Sequence, residues 1–527
     1  MHMVHKFQKP GKSGSKAMLP MTAAFAFSLF QLPAVAAFTY KDCPDLAPKD
    51  FTSEILTSNA TDKNLEEPMK MAFDMDAQGN VDVYFTQRQG LFRKYDGLKK
   101  ATVDLADFAA YPNFTKEFSG GSDGLLGVAL DPAFKANHWV YLYVSTNVDW
   151  RVSRFTLNGE KLDMASEKVL IKIVQAQNSQ HPGGALQFDT KGDLWITVGD
   201  NHKEWPAANT NDLRGKILRI HPNADGTYTN PDGNLFPVGT DKTRPEIYIM
   251  GNRNPYTLTL DSVRHAIAWG DVGPDHSALE EEHDFASKPG FHGWPFYAGN
   301  QLPQGKGAGT PAAPINNDPA NTGLANLPPA IPGFDNYKES CSITGPVYYY
   351  NPASPSKVKM PPHFNGMWFV SDFSHFAVEA LVLDGPGNAI LSRQPVFADM
   401  KLNGILDFQA GPDGAFYFVN YAGYRSVTSA TGLVRIVYNG TCRPGTVSSV
   451  NRPEWVVGAI QLQGSLLSVT SQGAHTVEVK DISGRLLARF QGQGPARHDL
   501  SETHIHGLAV ITVSTELGNY SWKLVRP

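Results

Sequence analysis

One local pattern recurs along most of this 527-residue chain and constrains its fold more than any other feature. Turn residues with an aspartate, and often a glycine, lead into an alternating run of aromatic and β-branched residues. Each copy is typical of a β-hairpin whose second strand buries its large side chains on one face. The six copies begin at Asp74, Leu130, Phe188, Leu260, His363 and Gly411.

Six irregularly spaced copies of one β unit predict an all-β protein built as a six-bladed β-propeller. The composition agrees, because 48 glycines and 37 prolines indicate many turns and 41% hydrophobic residues suffice for a core. A pair of unrelated β-sandwiches is the alternative. The propeller is favoured because the repeat runs from Asp74 to Asn420.

Changes in composition divide the chain into four segments. We predict a signal peptide over residues 1–37, a propeller over 45–440, a linker over 441–454 and a small β-sandwich over 455–527. The stretch from Gln301 to Pro332 is rich in Pro, Ala, Asn and Gly and lacks strand periodicity. We interpret it as a long excursion between strands, near the mouth of a central pocket.

The first 37 residues have the pattern of a secretory signal. Four lysines precede an apolar run that ends in small residues, and cleavage is expected near Ala36 or Ala37. A retained membrane anchor is the alternative, because the apolar run is about long enough to span a bilayer. We predict a secreted or cell-surface protein that passes through the periplasm and keeps no stable membrane span after cleavage.

Charge and cysteine content exclude two classes of protein. The formal net charge is −5, and loss of the four leader lysines lowers it to −9. Since no basic stripe interleaved with aromatic residues is present, nucleic acid is not an expected partner. Cys43, Cys341 and Cys442 are too few for a disulfide scaffold, although one pair could bridge, and the sequence leaves that pairing open.

The strand-like segment from Asn178 to Asn201 has unusual ends, because it starts with His-Pro-Gly-Gly and finishes with Gly-Asp-Asn. His181 stands at a strand start, where propeller blades face the axis, and its imidazole is a candidate general base near neutral pH. Asp200 at the far end is a candidate to orient that imidazole. A capping histidine and a turn aspartate are the structural alternative.

Two downstream turns are candidates for ligand and cation binding. Arg253 and Asn254 offer a planar guanidinium and an amide in one turn, which suits a ligand that bears carboxylates or a quinone. Backbone carbonyls of Gly270–Asp275, with Glu281 and Glu282 nearby, would suit a hard cation such as calcium. The alternative is a purely structural role, in which Arg253 pairs with an acidic residue at the end of a blade and Asn254 belongs to an Asn-Pro turn.

Six blocks in a fixed order carry a family resemblance. They are GLLGVALDPAF, HPGGALQF with GDLWITVGDN, LRGKILRI, EIYIMGNRNPY, GDVGP and GWPFYAG, and the resemblance spans about Leu56 to Asn439. The series resembles the soluble glucose/sorbosone dehydrogenases, which include six-bladed aldose dehydrogenases dependent on pyrroloquinoline quinone (PQQ). The resemblance implies an exported enzyme that oxidises the C1 hydroxyl of an aldose to the lactone, using PQQ and calcium. Electrons would leave to an external acceptor.

The resemblance also implies roles for individual residues. His181 matches the base that takes the C1 hydroxyl proton, and Asp200 matches the acid that supports it. Arg253 and Asn254 match a pair that contacts the cofactor, with Arg253 also polarising the quinone carbonyl. The calcium-holding backbone carbonyls of the family match two residues, Gly273 and Pro274.

The chain departs from the family where PQQ-dependent members hold the cofactor. Ser122 stands near a position often filled by a cofactor-contacting glutamine. Three residues replace a lysine and two arginines: Ser374, Gly404 and Leu406. Because PQQ carries three carboxylates, losing three cations would remove much of their neutralisation. Ser122 and Lys401 remain candidate cofactor contacts, and Lys401 or Arg393 could restore a cation to the pocket.

Two other functions stay open. A propeller that has lost the quinone clamp could bind carbohydrate or protein without catalysis, and propellers also support calcium-dependent sugar lactonases. A lactonase should bring more side-chain carboxylates and amides to the metal than the backbone-led pattern of this chain.

The end of the chain carries a second resemblance. The segment VEVKDISGRLLARF contains a D-x-x-G-R turn, and GLAVITVSTELGNYSWKLVRP ends in a strand with Lys-Leu-Val. Together they resemble the C-terminal sorting domains of the bacterial type IX secretion pathway, which implies secretion machinery as a partner. A small carbohydrate-binding or adhesion sandwich is the alternative, but the terminal position and the lack of an aromatic stripe favour sorting.

Overall fold

The computed structural model describes most of the chain from residue 46 onward. The described ranges are 46–116, 122–175, 180–274, 280–299, 308–310, 313–338, 341–375, 377–400, 402–421, 427–440, 442, 460–463, 466–469, 473–481, 485–500, 507–515 and 518–526. The predicted signal peptide, Cys43 and Lys401 lie outside these ranges. Two compact units divide the chain, Met1–Arg443 and Pro444–Pro527, and the division falls inside the predicted linker 441–454.

Within the described residues, the first unit contains six sheets that form the blades and one separate two-stranded sheet. Strand β1 (Phe51–Ser58) follows a 3-10 turn at Pro48–Asp50. Blade 1 contains β2 (Pro68–Met75), β3 (Val81–Gln87), β4 (Leu91–Asp96) and β5 (Ala101–Asp107). Blade 2 contains β6 (Leu125–Leu130), β7 (Trp139–Ser145), β8 (Asp149–Asn158) and β9 (Lys161–Val174).

Blades 3 and 4 are interleaved along the chain. Blade 3 contains β10 (Leu186–Phe188), β11 (Leu194–Val198), β12 (Lys216–Pro222), β13 (Tyr228–Thr229) and β14 (Ile247–Met250). Blade 4 begins with β15 (Pro255–Asp261), β16 (Ala266–Asp271) and β17 (Glu281–Ala286). Next, β18 (Gly290–Phe291) returns to blade 3, parallel to β14. A separate pair, β19 (Ala308–Thr310) and β20 (Ala313–Ile315), precedes β21 (Asp335–Tyr337), which completes blade 4.

Blades 5 and 6 end the first unit. Blade 5 contains β22 (Ser342–Tyr348), β23 (Met367–Asp372), β24 (Val378–Leu383) and β25 (Ile390–Val396). Blade 6 contains β26 (Ile405–Ala410), β27 (Phe416–Asn420) and β28 (Gly432–Tyr438). The other helical segments within the described ranges are single turns, at Phe108–Ala110, Phe134–Asn137, Trp205–Ala208 and Pro362–Phe364. None of the helices in these ranges is long and apolar enough to cross a bilayer.

The six blades form a closed ring, which confirms the predicted propeller. The first strand of each blade contacts the first strand of the next, and β26 of blade 6 contacts β2 of blade 1. Strand β1 pairs antiparallel with β28 and completes blade 6, so a strand from near the start of the chain is bonded to the last blade. Each of the six predicted hairpins lies in a different blade, at the turn between its first and second strands.

The repeated aspartate and glycine of the hairpins have a structural cause. In blade 1 the Asp76 carboxylate accepts the backbone N–H groups of Gln78 and Asn80, at 2.9 and 2.8 Å. Gly79 in the same turn has a φ of +86°, a left-handed conformation that glycine adopts without steric cost. The pattern that marks each blade in the sequence therefore encodes the turn, and the apolar run that follows supplies the buried second strand.

The segment from 301 to 332 differs in part from the irregular excursion predicted for it. Its described part includes two short strands, β19 and β20, which pair with each other. Asn316 Nδ2 donates to the Ala208 carbonyl at 3.0 Å, and the Leu324 N–H donates to Thr210 Oγ1 at 2.8 Å. The segment thus packs on the loop between β11 and β12.

The second unit contains a three-stranded and a four-stranded sheet, the arrangement of a small β-sandwich. Its strands are β29 (Ile460–Gln463), β30 (Leu466–Val469), β31 (Ala474–Asp481), β32 (Leu486–Gln493), β33 (Ala496–Asp499), β34 (Gly507–Thr515) and β35 (Gly518–Arg526). Apolar side chains from both sheets form one core, including Leu467, Val477 and Ile511.

Cysteine pairing was left open by the sequence. Cys442 is disulfide-bonded, and Cys341, just before β22 of blade 5, carries a thiol. One bridge is therefore formed at the end of the propeller unit.

Candidate active site

His181 and Asp200 form a hydrogen-bonded pair at one end of blade 3. His181 precedes the innermost strand β10 and Asp200 follows the second strand β11, so both lie at the same end of the hairpin. His181 Nδ1 and Asp200 Oδ1 are 2.7 Å apart. Both side chains are buried, with His181 8% and Asp200 1% exposed. The structure thus brings together the two residues that the sequence predicted as a base and its supporting acid.

Glycines explain the unusual ends of this segment. Gly183 has a φ of +68°, and a Cβ there would lie 2.7 Å from the Thr197 carbonyl oxygen. A Cβ at Gly199 would lie 2.0 Å from the His181 carbonyl oxygen. The two ends of the hairpin therefore approach too closely for side chains, and this approach sets the imidazole against the carboxylate.

Neighbouring groups keep the Asp200 carboxylate ionised. Its Oδ2 accepts a hydrogen bond from Trp294 Nε1 at 2.9 Å, and its Oδ1 accepts the His202 backbone N–H at 2.7 Å. Burial opposes ionisation, but the interactions with His181, the charge of Arg253 and the Trp294 hydrogen bond outweigh it and lower the pKa of Asp200. Because an ionised carboxylate only accepts hydrogen bonds, we infer that His181 carries its proton on Nδ1.

The surroundings of His181 favour its neutral form. Burial lowers the pKa of His181, and Asp200 only partly offsets this effect. The nearby charges of Arg253 and His202 lower the same pKa further. With Nδ1 bonded to Asp200, the lone pair of Nε2 is the group that can accept a proton. This is the arrangement of a general base with its orienting carboxylate.

Arg253 and Asn254 form a turn that joins blades 3 and 4. Their backbone N–H groups both donate to the Asp271 carboxylate, at 2.9 and 2.6 Å. The Asn254 Oδ1 accepts the Gly183 N–H at 3.1 Å. The Asp200 N–H donates to the Arg253 carbonyl at 2.8 Å. The predicted ligand-binding pair is therefore bonded directly to the segment that carries the base.

The Arg253 guanidinium points to the carbonyls that follow β16. Its Nη1 donates to the Val272 oxygen at 2.9 Å and to the Gly273 oxygen at 2.6 Å. Gly273 is one of the two predicted calcium-holding positions, so its carbonyl faces the same space as the guanidinium. The second, Pro274, follows directly and ends the described range 180–274.

Glu281 and Glu282 do not converge on that carbonyl. They are consecutive residues of β17, so their side chains point to opposite faces of blade 4. Glu281 Oε2 accepts the N–H groups of Gly273 and Ser342, at 3.0 and 3.1 Å. Glu282 accepts the N–H of Gly299. Among the residues that the structure describes, no group of three acidic, histidine or cysteine side chains is placed to hold a metal ion.

Glu282 instead belongs to a buried acidic cluster that the sequence analysis did not single out. Asp271 is its cross-strand partner, and Asp284 lies two residues further along β17. Burial raises the pKa of Asp271 and of Glu282 well above the usual carboxyl value, and the neighbouring carboxyls raise both further. His292 Nδ1 lies 3.6 Å from Asp284. Through Asp271, the cluster supports the turn that carries Arg253.

The remaining predicted cofactor contacts do not form a cationic group. Ser122 is half-buried before β6, and Ser374 lies in the turn after β23. Arg393 is on β25, the outermost strand of blade 5, where it pairs with two acidic side chains. It does not supply a cation to the axial pocket. Lys401 lies outside the described residues, so its position as a cofactor contact stays a prediction.

A cation that the sequence analysis missed lies on the propeller axis. Lys70 of blade 1 is 4% exposed, and its Nζ donates to the Leu406 carbonyl of blade 6 at 2.7 Å. The same Nζ lies 3.8 Å from the centroid of the Tyr256 ring on blade 4. Burial lowers the pKa of Lys70 to about 8, against the opposite effect of Asp407. Because blades 1 and 4 are opposite each other in the six-blade ring, the Lys70 side chain reaches across the centre of the ring.

Arg88, Glu67 and Tyr421 link blades 1 and 6 at the same end of the molecule. Arg88 Nη2 donates to both Glu67 carboxylate oxygens, at 2.7 and 2.8 Å. The Tyr421 hydroxyl donates to Glu67 Oε1 at 2.8 Å. Burial opposes the ionisation of Glu67, but Arg88 outweighs it and lowers the pKa of Glu67. The charge of Arg88 is therefore balanced within this rim, in contrast to that of Lys70.

A cleft of about 480 Å³ lies away from these residues, at the opposite end of blades 1 and 6. Its lining includes Asp76, Tyr95 and Arg435, and Arg435 is already paired with Glu54 at 2.5 Å. None of the predicted site residues within the described ranges lines it. The chemistry is concentrated instead at the end of the ring where His181 lies.

Comparison with known proteins identifies the family. Residues 65–424 match the family model of the glucose/sorbosone dehydrogenases. The aldose sugar dehydrogenase YliI of Escherichia coli (strain K12) is 28% identical over 278 residues, which cover 50% of this chain and 70% of that protein. The HIPL1 protein of Arabidopsis thaliana is 29% identical over 315 residues, covering 51% of this chain but 43% of its own length.

A solved structure shares the fold. The PQQ-bound form of the aldose sugar dehydrogenase (Adh) from Streptomyces coelicolor has a TM-score of 0.52 at 19% identity, and it covers 73% of this chain and 98% of its own. The matched family model begins just before blade 1 and extends past β27 of blade 6. The chain therefore belongs to the glucose/sorbosone dehydrogenase family.

Proposed function

We propose that this protein is an exported sugar dehydrogenase that oxidises the C1 hydroxyl of an aldose to the lactone, with PQQ and calcium as cofactors. The observation that carries the proposal is the buried His181–Asp200 pair, with Nδ1 and Oδ1 2.7 Å apart, bonded through the backbone to the turn of Arg253. The names of the relatives, an aldose sugar dehydrogenase and a PQQ-bound homologue, support the same activity.

His181 is the proposed general base. Its Nε2 accepts the proton of the C1 hydroxyl, and the resulting imidazolium is stabilised by the ionised Asp200. The alcohol oxygen gains negative charge as the proton leaves, which favours departure of the C1 hydrogen as hydride. Positioned general bases contribute about 100- to 10,000-fold to rates, so loss of the imidazole should reduce turnover by a factor in that range.

The polar and cationic side chains near His181 are of the types that PQQ needs as partners. PQQ, when bound, supplies a quinone that accepts hydride, and its three carboxylates need cationic partners. Arg253 and Asn254 would hold the quinone end, beside His181. Lys70 offers an ammonium on the axis with a lowered pKa, a sign that the protein alone compensates its charge only in part. Lys70 would therefore replace some of the cationic character that Ser374 and Leu406 lack.

Calcium would depend on backbone oxygens. The Gly273 carbonyl faces the Arg253 guanidinium, and a carbonyl oxygen is a ligand type that calcium prefers. Pro274 would add a second carbonyl. Because Glu281 is engaged with two backbone N–H groups, it would not be a direct ligand, and ligand oxygens would have to complete the coordination. We therefore expect calcium and PQQ to bind cooperatively.

The decisive experiment is a titration of the metal-free protein with PQQ and calcium, followed by dye reduction with a panel of aldoses. His181→Ala should bind PQQ and lose turnover by about 100- to 10,000-fold. His221→Ala is a matched control, because His221 forms a similar pair with Asp193 at 2.9 Å on the other end of blade 3. Absence of PQQ binding and of turnover, with His181→Ala equal to the parent, would overturn the dehydrogenase proposal.

A second candidate is a propeller that binds carbohydrate or protein without catalysis. Leu406 and Ser374 stand where the family resemblance implies cations, which favours a pocket that no longer holds PQQ. Sugar binding by the protein without any PQQ binding, measured by calorimetry, would support this function. A calcium-dependent lactonase would need side-chain carboxylates on the metal, and Glu281 instead accepts two backbone N–H groups. The described contacts therefore do not favour that function.

Export and sorting complete the proposal. The apolar leader supports passage through the periplasm, and the terminal β-sandwich supports the resemblance to type IX sorting domains. The partners would be a small sugar, an external electron acceptor and the secretion machinery.

A further inference from the structure

A second histidine stands beside the proposed base. The His202 ring centroid lies 5.0 Å from that of His181, at an interplanar angle of 56°. His202 is exposed, whereas His181 is buried. His202 therefore occupies the solvent side of His181. Neither the sequence motifs nor the family resemblance assigned it a role.

The loop around His202 is held in an unfavourable conformation. Asn201, His202 and Glu204 have φ values of +61°, +55° and +60°, a left-handed region that costs energy for residues other than glycine. The His202 N–H donates at 2.7 Å to Asp200 Oδ1, the same oxygen that lies 2.7 Å from His181 Nδ1. One carboxylate oxygen thus fixes both histidines, and the loop conformation places the second ring beside the first.

We infer that His202 carries the proton away from His181 after sugar oxidation. The inference rests on the proposed function of the site. The C1 hydroxyl proton passes to His181 Nε2, the C1 hydrogen leaves with two electrons to the quinone, and the C1–O bond becomes a carbonyl. The proton on His181 then passes to His202, directly or through one water, and from His202 to bulk water or buffer. No electrons move in this last step.

The position of His181 makes such an exit necessary. Its Nδ1 is bonded to Asp200 and its side chain is buried, so a proton on Nε2 needs a neighbouring acceptor to reach bulk water. A bound sugar would cover the Nε2 side. Because the pKa of His181 is lowered, the proton leaves readily once a neighbouring acceptor is available.

Several charged groups face the two histidines. Asp200 contacts both, and Arg253 acts on His181 from blade 4. Arg214 reaches the loop through Asn201, with Nη1 and Oδ1 3.5 Å apart. Lys203 and Glu204 adjoin His202 in the chain. The control variant must therefore remove a charge from the same loop and keep the His202 imidazole.

The test compares His202→Asn with Lys203→Ala. Asparagine tolerates a positive φ better than alanine, so His202→Asn removes the ring and retains the loop conformation. In weak buffer, turnover of His202→Asn should fall about tenfold or more, and added imidazole should restore it in proportion to its concentration. Lys203→Ala should keep the parental rate and show no response to imidazole.

A second measurement uses the protein without PQQ. Side-chain NMR of ¹⁵N-labelled histidines should show that the titration midpoint of His181 rises in His202→Asn, because a neighbouring positive charge has been removed. An unchanged midpoint, or a loss of turnover that imidazole does not restore, would overturn the inference. A raised midpoint in a protein whose parent oxidises no aldose would support the coupling of the histidines and overturn the proposed function instead.

Discussion

At the scale of single residues, the site depends on how burial and charge set the protonation of one imidazole. His181 would be protonated more readily if only Asp200 acted on it. Burial, Arg253 and His202 together outweigh that carboxylate and lower the pKa of His181. The site therefore presents His181 as an oriented, neutral imidazole, which is the form that the proposed transfer of a proton from an alcohol requires.

The pH dependence of catalysis should report this balance. As the pH falls through the pKa of His181, the imidazole gains a proton and can no longer act as a base. We expect kcat/KM for aldose oxidation to fall with a midpoint below 6.5, the ordinary histidine value. Initial rates at low sugar concentration from about pH 5 to about pH 8 measure it, with circular dichroism at each pH as the control for folding. A midpoint above the ordinary value contradicts the assignment.

Lys70→Met should change stability and cofactor affinity in opposite directions. The pKa of Lys70 is lowered from 10.5 to about 8, so between these values the unfolded chain keeps a proton that the folded chain has lost. The free energy of unfolding of the parent therefore rises with pH over this interval. Methionine does not titrate, so the free energy of unfolding of Lys70→Met should lack this rise. The difference between variant and parent should therefore favour the variant more at pH 7 than at pH 10, by roughly 2 kcal/mol.

Urea denaturation at the two pH values measures that difference. Lys135→Met is the matched control, since the Lys135 side chain is 67% exposed and should show no such dependence. The same Lys70→Met protein should bind PQQ about tenfold more weakly in calorimetry, because an ammonium near the cofactor carboxylates is lost. Equal PQQ affinity in parent and variant would remove Lys70 from the proposed cofactor site.

At the scale of elements, the loop from Gly199 to Gly215 organises the end of blade 3 where His181 lies. It carries Asp200 and His202 and contains the helical turn Trp205–Ala208. Lys216, at the start of β12, is fully buried beneath this loop. Its Nζ donates to three carbonyl oxygens, those of Pro206, Ala207 and Arg214, at 2.7, 3.0 and 2.7 Å.

Lys216→Met should loosen this loop. Each buried carbonyl that loses its donor costs about 1–3 kcal/mol, although removal of a buried charge offsets part of the loss. We expect the free energy of unfolding to fall by roughly 3 kcal/mol, and turnover to fall because Asp200 is no longer held in place. Urea denaturation and dye reduction measure the two effects. Lys203→Met, an exposed change in the same loop, should leave both unchanged, and equal stability of the two variants would contradict the role of Lys216.

The sequence predicted the parts of the site that local geometry controls. His181 and Asp200 could be found because glycines at both ends of one hairpin signal a close approach, and Arg253 with Asn254 because one turn carries both. Lys70 could not be placed in this way, since its partner Leu406 is 336 positions away and only ring closure joins them. A lysine inside the buried strand Pro68–Met75 was the available signal.

The expectation for Glu281 and Glu282 shows a different limit. Adjacency in the sequence suggested that both would serve one cation. A two-residue period along β17 separates their side chains onto opposite faces of blade 4. Loop spacing alone therefore cannot assign ligands when the residues lie on a strand.

At the scale of the whole molecule, ring closure makes the propeller a self-contained unit. Strand β1 pairs with β28 from Phe51↔Tyr438 to Ser58↔Gly432, so blade 6 needs both ends of this unit. The contacts between Lys70, Tyr256 and Leu406 cross the same closed ring. The pocket is thus assembled from blades that are distant in sequence, and it forms only when the ring is complete.

A chain that ends at Arg443 should therefore keep the fold and the proposed activity but lose its sorting. The division between the two units falls at this residue, and truncation here retains β1, all six blades and Cys442. We expect the truncated protein to keep the far-ultraviolet circular dichroism of the propeller and, within about twofold, the turnover of the full chain, since the deletion removes residues of the second unit alone and retains every proposed catalytic group. In cells that possess a type IX pathway, fractionation should find the full chain at the surface or in the medium and the truncated chain in the periplasm. A third chain that also lacks β1 is the informative control, because it should fail to fold if ring closure holds the propeller together. Secretion of the truncated chain at the parental level would contradict the sorting role of the β-sandwich without affecting the assignment of the active site.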